Sequence, residues 1–158
     1  MRYALTRVHH GEDNVAEHLR EFADRHSSDH EIHHVARDLA GWSRRNLDQI
    51  ADVAAEHDVH LSRDAGHPDR LGYLRQALAT LIGRRPESGL LLLEDLRDLY
   101  LLTSESSLAW EMLAQYAQAG HEKDILELAE RCHPQTLRQI RWCNTMLKTL
   151  APQVLTSL

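Results

Sequence analysis

The longest regular pattern of apolar positions lies between residues 87 and 118, a stretch without proline and without glycine after Gly89. Apolar side chains recur there every three or four residues, the spacing that places them along one face of an α-helix. That face carries Leu92, Leu96, Leu99, Thr103, Ser106, Trp110, Leu113 and Ala117. The pattern predicts a long helix whose inward face becomes polar at its middle, at Thr103 and Ser106.

The same period of apolar residues predicts the rest of the fold. Helices are expected at about 12–26, 29–57, 69–82, 87–118 and 122–150. Short turns join the first two helices and the last two, which favours two antiparallel hairpins. A connection of roughly 30 residues carries the short helix and links the hairpins. We therefore expect an all-α four-helix bundle, a single domain over 1–158, in which this crossover can place the second and third principal helices parallel.

Glycine and proline positions predict where the helices end. Residues 1–11 are expected to form an irregular arm that ends at Gly11. Gly120 is expected to close the long helix in the left-handed conformation that glycine adopts easily. Pro134 is expected to kink or split the last helix, because proline lacks the backbone donor of a helical residue.

Composition and charge narrow the classes of protein. The chain is 42% hydrophobic and 27% charged, with 7 glycines and 4 prolines, which is typical of a helical globular domain. Its net charge of −6 and its scattered basic residues argue against nucleic acid or an anionic membrane as a partner. No segment resembles a secretion signal or a membrane span. Cys132 and Cys143 lie too far apart in one helix to form a disulfide, so we expect reduced core cysteines in a cytoplasmic protein.

Several short motifs resemble the ferritin-like superfamily, most closely its small bacterial stress-associated branch. They are Gly11-Glu12, Ser27-Ser28, Ala109-Trp110, Leu113, Ala117 and Gly120-His121-Glu122-Lys123. The order and lengths of the predicted helices agree with that resemblance over nearly the whole chain. The resemblance implies two metal ions at mid-bundle, held by one inward glutamate from the first helix of each hairpin and a Glu-x-x-His or equivalent from the second.

When the ligand positions that the resemblance implies are transferred to this chain, few of them hold residues that can bind a metal. Glu12 matches the carboxylate of the first helix, and Asp38 alone could serve in the second. The matching positions of the third helix fall near Thr103 and Ser106, with Glu105 close by. Those of the last helix fall near Gln135 and Thr136, which are not carboxylates. The resemblance thus implies a degenerate dimetal site, with Glu12, Asp38 and Glu105 as the remaining candidates for iron or manganese.

Histidines and tryptophans suggest two further kinds of site. Glu31 and His34 lie one helical turn apart in a His-rich region, where we expect at most an adventitious surface metal site. Three tryptophans, at 42, 110 and 142, are expected in the core. The polar residues Asn46, Thr103, Ser106, Gln135 and Thr136 are expected to form a hydrogen-bonded layer. The alternative is that they line a pocket for a small ligand.

The function expected from these observations is structural or binding rather than enzymatic, with no cofactor. Surplus apolar residues of the third principal helix favour a homodimer formed through helices 87–118 and 122–150; these residues are Leu90, Leu91, Leu93, Leu101, Leu102 and Leu108. Two alternatives stay open. One is a metal-dependent oxidoreductase or metal-storage protein that uses iron or manganese, and the other is a small-molecule binder.

Overall fold

The computed structural model describes residues 1–62 and 88–157, which form four long helices. These are α1 (Arg2–Arg25), α2 (His30–Glu56), α3 (Ser88–Gly120) and α4 (Lys123–Leu155). The described residues contain no β-strand. The prediction of an all-α four-helix bundle is confirmed. The predicted short helix over 69–82 lies outside the described residues.

The helices pack as two antiparallel hairpins. α1 lies against α2 and α3, and α4 lies against α3 and α2, so α2 and α3 occupy opposite corners of the bundle. Arg7 pairs with Glu105, and Arg25 near the end of α1 pairs with Asp95 nearer the start of α3, so α1 and α3 are antiparallel. Since α1 is also antiparallel to α2, the helices α2 and α3 run parallel. The connection between them therefore links opposite ends of the bundle.

The first helix begins ten residues earlier than predicted, because the proposed arm over 1–11 is helical. Leu5 and Val8 are fully buried in the apolar cluster that contains Trp110. A glycine inside a helix costs about 1 kcal/mol relative to alanine. Burying two apolar side chains offsets that cost, so the helix continues through Gly11.

The predicted split of the last helix at Pro134 and the predicted position of the left-handed residue after α3 are also wrong. α4 continues through Pro134, because the loss of one backbone donor is offset by the buried side chains of Cys132 and Thr136 on either side. Gly120 is the last residue of α3, and the left-handed conformation falls on His121 at φ 57°. The backbone N–H of Glu122 donates to the carbonyl of Ala117 at 2.9 Å, which closes the helix as in a Schellman motif.

The core consists of two apolar clusters with a polar layer between them. The first contains Leu5, Val8, Ile50, Trp110, Leu113, Ile125, Leu128 and Cys132, among others. The second contains Val15, Leu19, Phe22, Leu39, Leu96, Leu99 and Cys143, and Trp42 and Trp142 pack against it. Both cysteines are free and buried, as predicted, and burial raises the pKa of Cys132 to about 11 and that of Cys143 to about 12. Neither thiol is therefore suited to act as a nucleophile.

Candidate functional site

The centre of the bundle contains the carboxylate of Glu12, whose side chain is 0% exposed. Its Oε1 accepts hydrogen bonds from Trp110 Nε1 at 2.7 Å, from Thr136 Oγ1 at 2.8 Å and from Ser106 Oγ at 3.2 Å. Its Oε2 accepts one from Asn46 Nδ2 at 3.2 Å. These donors belong to α2, α3 and α4. A single side chain of α1 is therefore bonded to all three other helices.

The residues that surround Glu12 are electrically neutral hydrogen-bond donors. Within the described part of the chain, no lysine or arginine forms an ion pair with this carboxylate. A buried carboxylate without partners would cost many kcal/mol, and hydrogen bonds to it are stronger than those between neutral groups. A carboxylate offers about four acceptor positions. The four donors are thus enough to satisfy Glu12.

Gly11 allows α1 to approach α3 closely enough for this bonding. A Cβ placed on Gly11 would lie 3.0 Å from Ser106 Oγ and 3.2 Å from Ser106 Cα. Such distances are shorter than ordinary van der Waals contacts, so any other residue would push the two helices apart. The glycine next to Glu12 is therefore part of what brings the Ser106 hydroxyl to the carboxylate.

The polar layer continues from Glu12 toward α2 and α4. Gln139 Nε2 donates to Ser43 Oγ and to the carbonyl of Leu39, both at 2.9 Å. The hydroxyl of Thr103 donates to the carbonyl of Leu99 at 2.7 Å. Asn46 Oδ1 and Gln139 Oε1, in fully buried side chains, accept no hydrogen bond from the described residues. The layer thus joins all four helices and keeps two spare acceptors.

The three candidate ligands for iron or manganese are not brought together. Glu12 is at the centre of the bundle, but Asp38 is exposed on the surface of α2. Glu105 is 64% exposed and forms an ion pair with Arg7 at 2.8 Å. The indole nitrogen of Trp110 has no lone pair available for a metal. Its hydrogen bond also occupies one of the acceptor positions of Glu12 Oε1. The side chains around Glu12 do not fit a dimetal centre that requires several carboxylates.

The His-rich region lies at the turn between α1 and α2. Glu31 and His34 are both exposed, and the rings of His30 and His34 stack with centroids 6.1 Å apart. His26 instead bonds Asp95 of α3 at 2.8 Å. In residues 1–62 and 88–157, Glu31 and His34 belong to no group of three side chains spaced for one metal ion.

The opposite end of the bundle contains a cluster that the sequence pattern did not indicate. One ligand atom each from His57, Glu122 and Asp124 lie within 4.8 Å of one another, a group that could hold a metal ion. His57 Nε2 lies 2.5 Å from Asp124 Oδ2, and this hydrogen bond lowers the pKa of Asp124. The helices bring these residues together, since α2 ends beside the turn between α3 and α4. The sequence signal that could have indicated this cluster is a histidine at the end of one predicted helix and two carboxylates at the start of another.

A serine and a histidine also meet across α3 and α4. Ser107 Oγ lies 2.8 Å from His133 Nε2, and burial lowers the pKa of His133. Acyl transfer also requires free N–H groups that stabilise an oxyanion. Ser107 lies inside α3, where the backbone N–H groups are bonded along the helix. We therefore interpret the pair as a link between α3 and α4.

No protein-family model matches this sequence, and comparisons with curated proteins and with solved structures give no match either. Of the helices in the described ranges, none has an apolar segment of the length needed to cross a bilayer. Evidence on function therefore comes from the residues and their geometry.

Proposed function

We propose that this protein is a cytoplasmic, ferritin-like helical bundle with a degenerate metal site and a structural or binding role instead of an enzymatic one. The observation that carries the proposal is the Glu12 carboxylate, which accepts four hydrogen bonds from neutral side chains at mid-bundle. The position of Glu12 agrees with the inward glutamate that the resemblance implies. The side chains around Glu12 are hydrogen-bond donors, as expected of a hydrogen-bonded polar layer.

The chemistry of the groups around Glu12 supports the interpretation that the layer is held by hydrogen bonds instead of by a metal ion. Metal ions bind to lone pairs, whereas Trp110 and Asn46 present N–H groups to Glu12. Ser106 and Thr136 direct their hydroxyl protons to the same carboxylate. A second bridging carboxylate, which would offset the charge of two cations, is missing from the described residues that bond Glu12. Such a layer joins four helices in one register without a bound ion.

The first prediction concerns metal content. We expect untagged protein to contain far less than one iron or manganese per chain, and the same small amount in a Glu12→Gln variant, because the layer supplies donors instead of ligands. Elemental analysis after exhaustive dialysis measures both. Near-stoichiometric iron or manganese that disappears in the variant would instead support the metal-dependent oxidoreductase or storage protein.

The outer surface of α3 supports a binding role with a second copy of the chain as the partner. Leu101, Leu108 and Met112 are 51%, 60% and 54% exposed, and their spacing places them along one face of α3. The Arg7–Glu105 ion pair lies beside them and offers both signs of charge. An antiparallel second copy would cover the apolar stripe and place opposite charges across the two-fold axis.

The second prediction tests this dimer. We expect the wild-type chain to have the mass of a dimer in light scattering coupled to size exclusion, and Leu108→Glu to shift it to a monomer, because a buried unpaired charge opposes association. Leu155→Glu is the matched control, since Leu155 is 55% exposed but lies at the end of α4. A monomeric wild type, or a Leu108→Glu variant that stays dimeric, contradicts the proposed interface.

A further inference from the structure

His57, Glu122 and Asp124 converge at the end of the bundle that carries the turn between α3 and α4. His57 follows the last residue of α2, and the next buried residue, Val59, anchors this segment in the core. Glu122 precedes α4, and Asp124 lies in its first turn. The three ligand atoms therefore come from two hairpins whose backbones are held by the packed core.

The separation of the ligand atoms suits one metal ion. Zn²⁺ binds imidazole nitrogen at about 2.0–2.1 Å and carboxylate oxygen at about 2.0–2.2 Å, so ligand atoms around it lie about 3–4 Å apart. All three atoms here lie within 4.8 Å of one another. His57 Nε2 and Asp124 Oδ2 are now 2.5 Å apart, so a small rotation of either side chain would admit the ion between them.

The combination of ligand types points to a transition metal. Imidazole suits zinc, iron, nickel and copper, whereas calcium and magnesium prefer sites made of oxygen alone. Two carboxylates would offset the charge of a divalent cation. The carbonyl groups at the C-terminal end of α2 add negative potential beside His57. Glu122 has a partly exposed side chain, so the cluster is open to an ion from solvent.

We propose that His57, Glu122 and Asp124 bind one divalent transition-metal ion, for which Zn²⁺ is the probe, and that this ion links α2 to the turn between α3 and α4. The site is independent of the proposed function, because it lies away from Glu12. It is also about 40 Å from the His-rich turn, the length of the 27 residues of α2. Binding would stabilise the fold, since the unfolded chain does not hold the three ligands together.

The test is a calorimetric titration with Zn²⁺ of untagged, chelator-treated protein. A His30→Gln/His34→Gln double variant serves as the background, because it removes adventitious binding at the His-rich turn. We expect one zinc per chain in this background and at least about a tenfold weaker affinity after Glu122→Gln is added. Glu122→Gln keeps the His57–Asp124 hydrogen bond, so its midpoint of thermal unfolding without zinc should equal that of the background.

Thermal unfolding with zinc is a second measurement, which also detects binding if the affinity for zinc is modest. Zinc should raise the midpoint of thermal unfolding of the background protein, and the rise should be lost in Glu122→Gln and in Asp124→Asn. The proposal is overturned if the background protein binds no zinc, or if Glu122→Gln binds it as tightly as the background does. In the first case, zinc seen with wild-type protein belongs to the His-rich turn.

Discussion

Replacing Glu12 by alanine is expected to lower the free energy of unfolding by about 3–5 kcal/mol, a large share of the total for a domain of this size. The substitution leaves four buried donors without an acceptor, from Asn46, Ser106, Trp110 and Thr136. It also opens a cavity between the two apolar clusters, which adds to the loss. Equilibrium unfolding in guanidinium chloride, followed by circular dichroism, measures the change.

Glu12→Gln is the matched control, because it keeps the shape of the side chain, removes the charge and places an NH2 group where one carboxylate oxygen was. The amide oxygen can still accept from Trp110 and Thr136. If the Asn46 amide turns over, its Oδ1, which has no partner among the described residues, accepts from the new amide group. We expect a loss of less than about 1.5 kcal/mol. A loss as large as that of Glu12→Ala would mean that the layer requires the negative charge of Glu12. A cation bound to the carboxylate would explain such a requirement.

The helical pattern predicted most of the fold because apolar residues of period 3.6 persist through each principal helix. The start of α1 escaped prediction. His9, His10 and Gly11 interrupt the apolar pattern there, although Leu5 and Val8 continue its buried face. Packing outweighed the local preference of glycine. The left-handed residue that follows α3 was misplaced by one position, since His121 adopts the conformation expected of Gly120.

The polar layer was predicted in part. Asn46, Ser106 and Thr136 belong to the layer, but they donate to Glu12, whereas the expected layer was bonded mutually. Thr103 bonds the backbone, and Gln135 Oε1 accepts no hydrogen bond from the described residues. Gln139 was not among the predicted residues, because a glutamine one turn beyond Thr136 has nothing in the sequence to mark it as buried. The cluster at His57 was missed altogether. His57 lies more than 60 positions before Glu122 and Asp124 along the chain, and only the antiparallel packing of α2 and α4 brings it to them.

Replacing Gly11 by valine is expected to lower the free energy of unfolding by about 2–3 kcal/mol, and replacing it by alanine to lower it by less. Alanine in the middle of a helix normally stabilises by about 0.5–1 kcal/mol relative to glycine. At Gly11 the nearest atoms to a new Cβ include the backbone Cα of Ser106 at 3.2 Å, which cannot move without moving α3. The larger valine would also lengthen the Ser106–Glu12 hydrogen bond. Denaturant unfolding measures both variants.

Gly41→Ala separates this effect of packing from that of helix propensity. Gly41 also lies inside a helix, but among the described residues a Cβ there would meet only Arg45 Nη1, at an ordinary 3.6 Å. The free energy of unfolding of this control should therefore rise by about 0.5–1 kcal/mol, the gain that alanine normally provides inside a helix. Opposite signs for Gly41→Ala and Gly11→Ala would support the close approach of α1 and α3. Equal gains would mean that the two helices are further apart than described, and Ser106 would then no longer serve as a donor to Glu12.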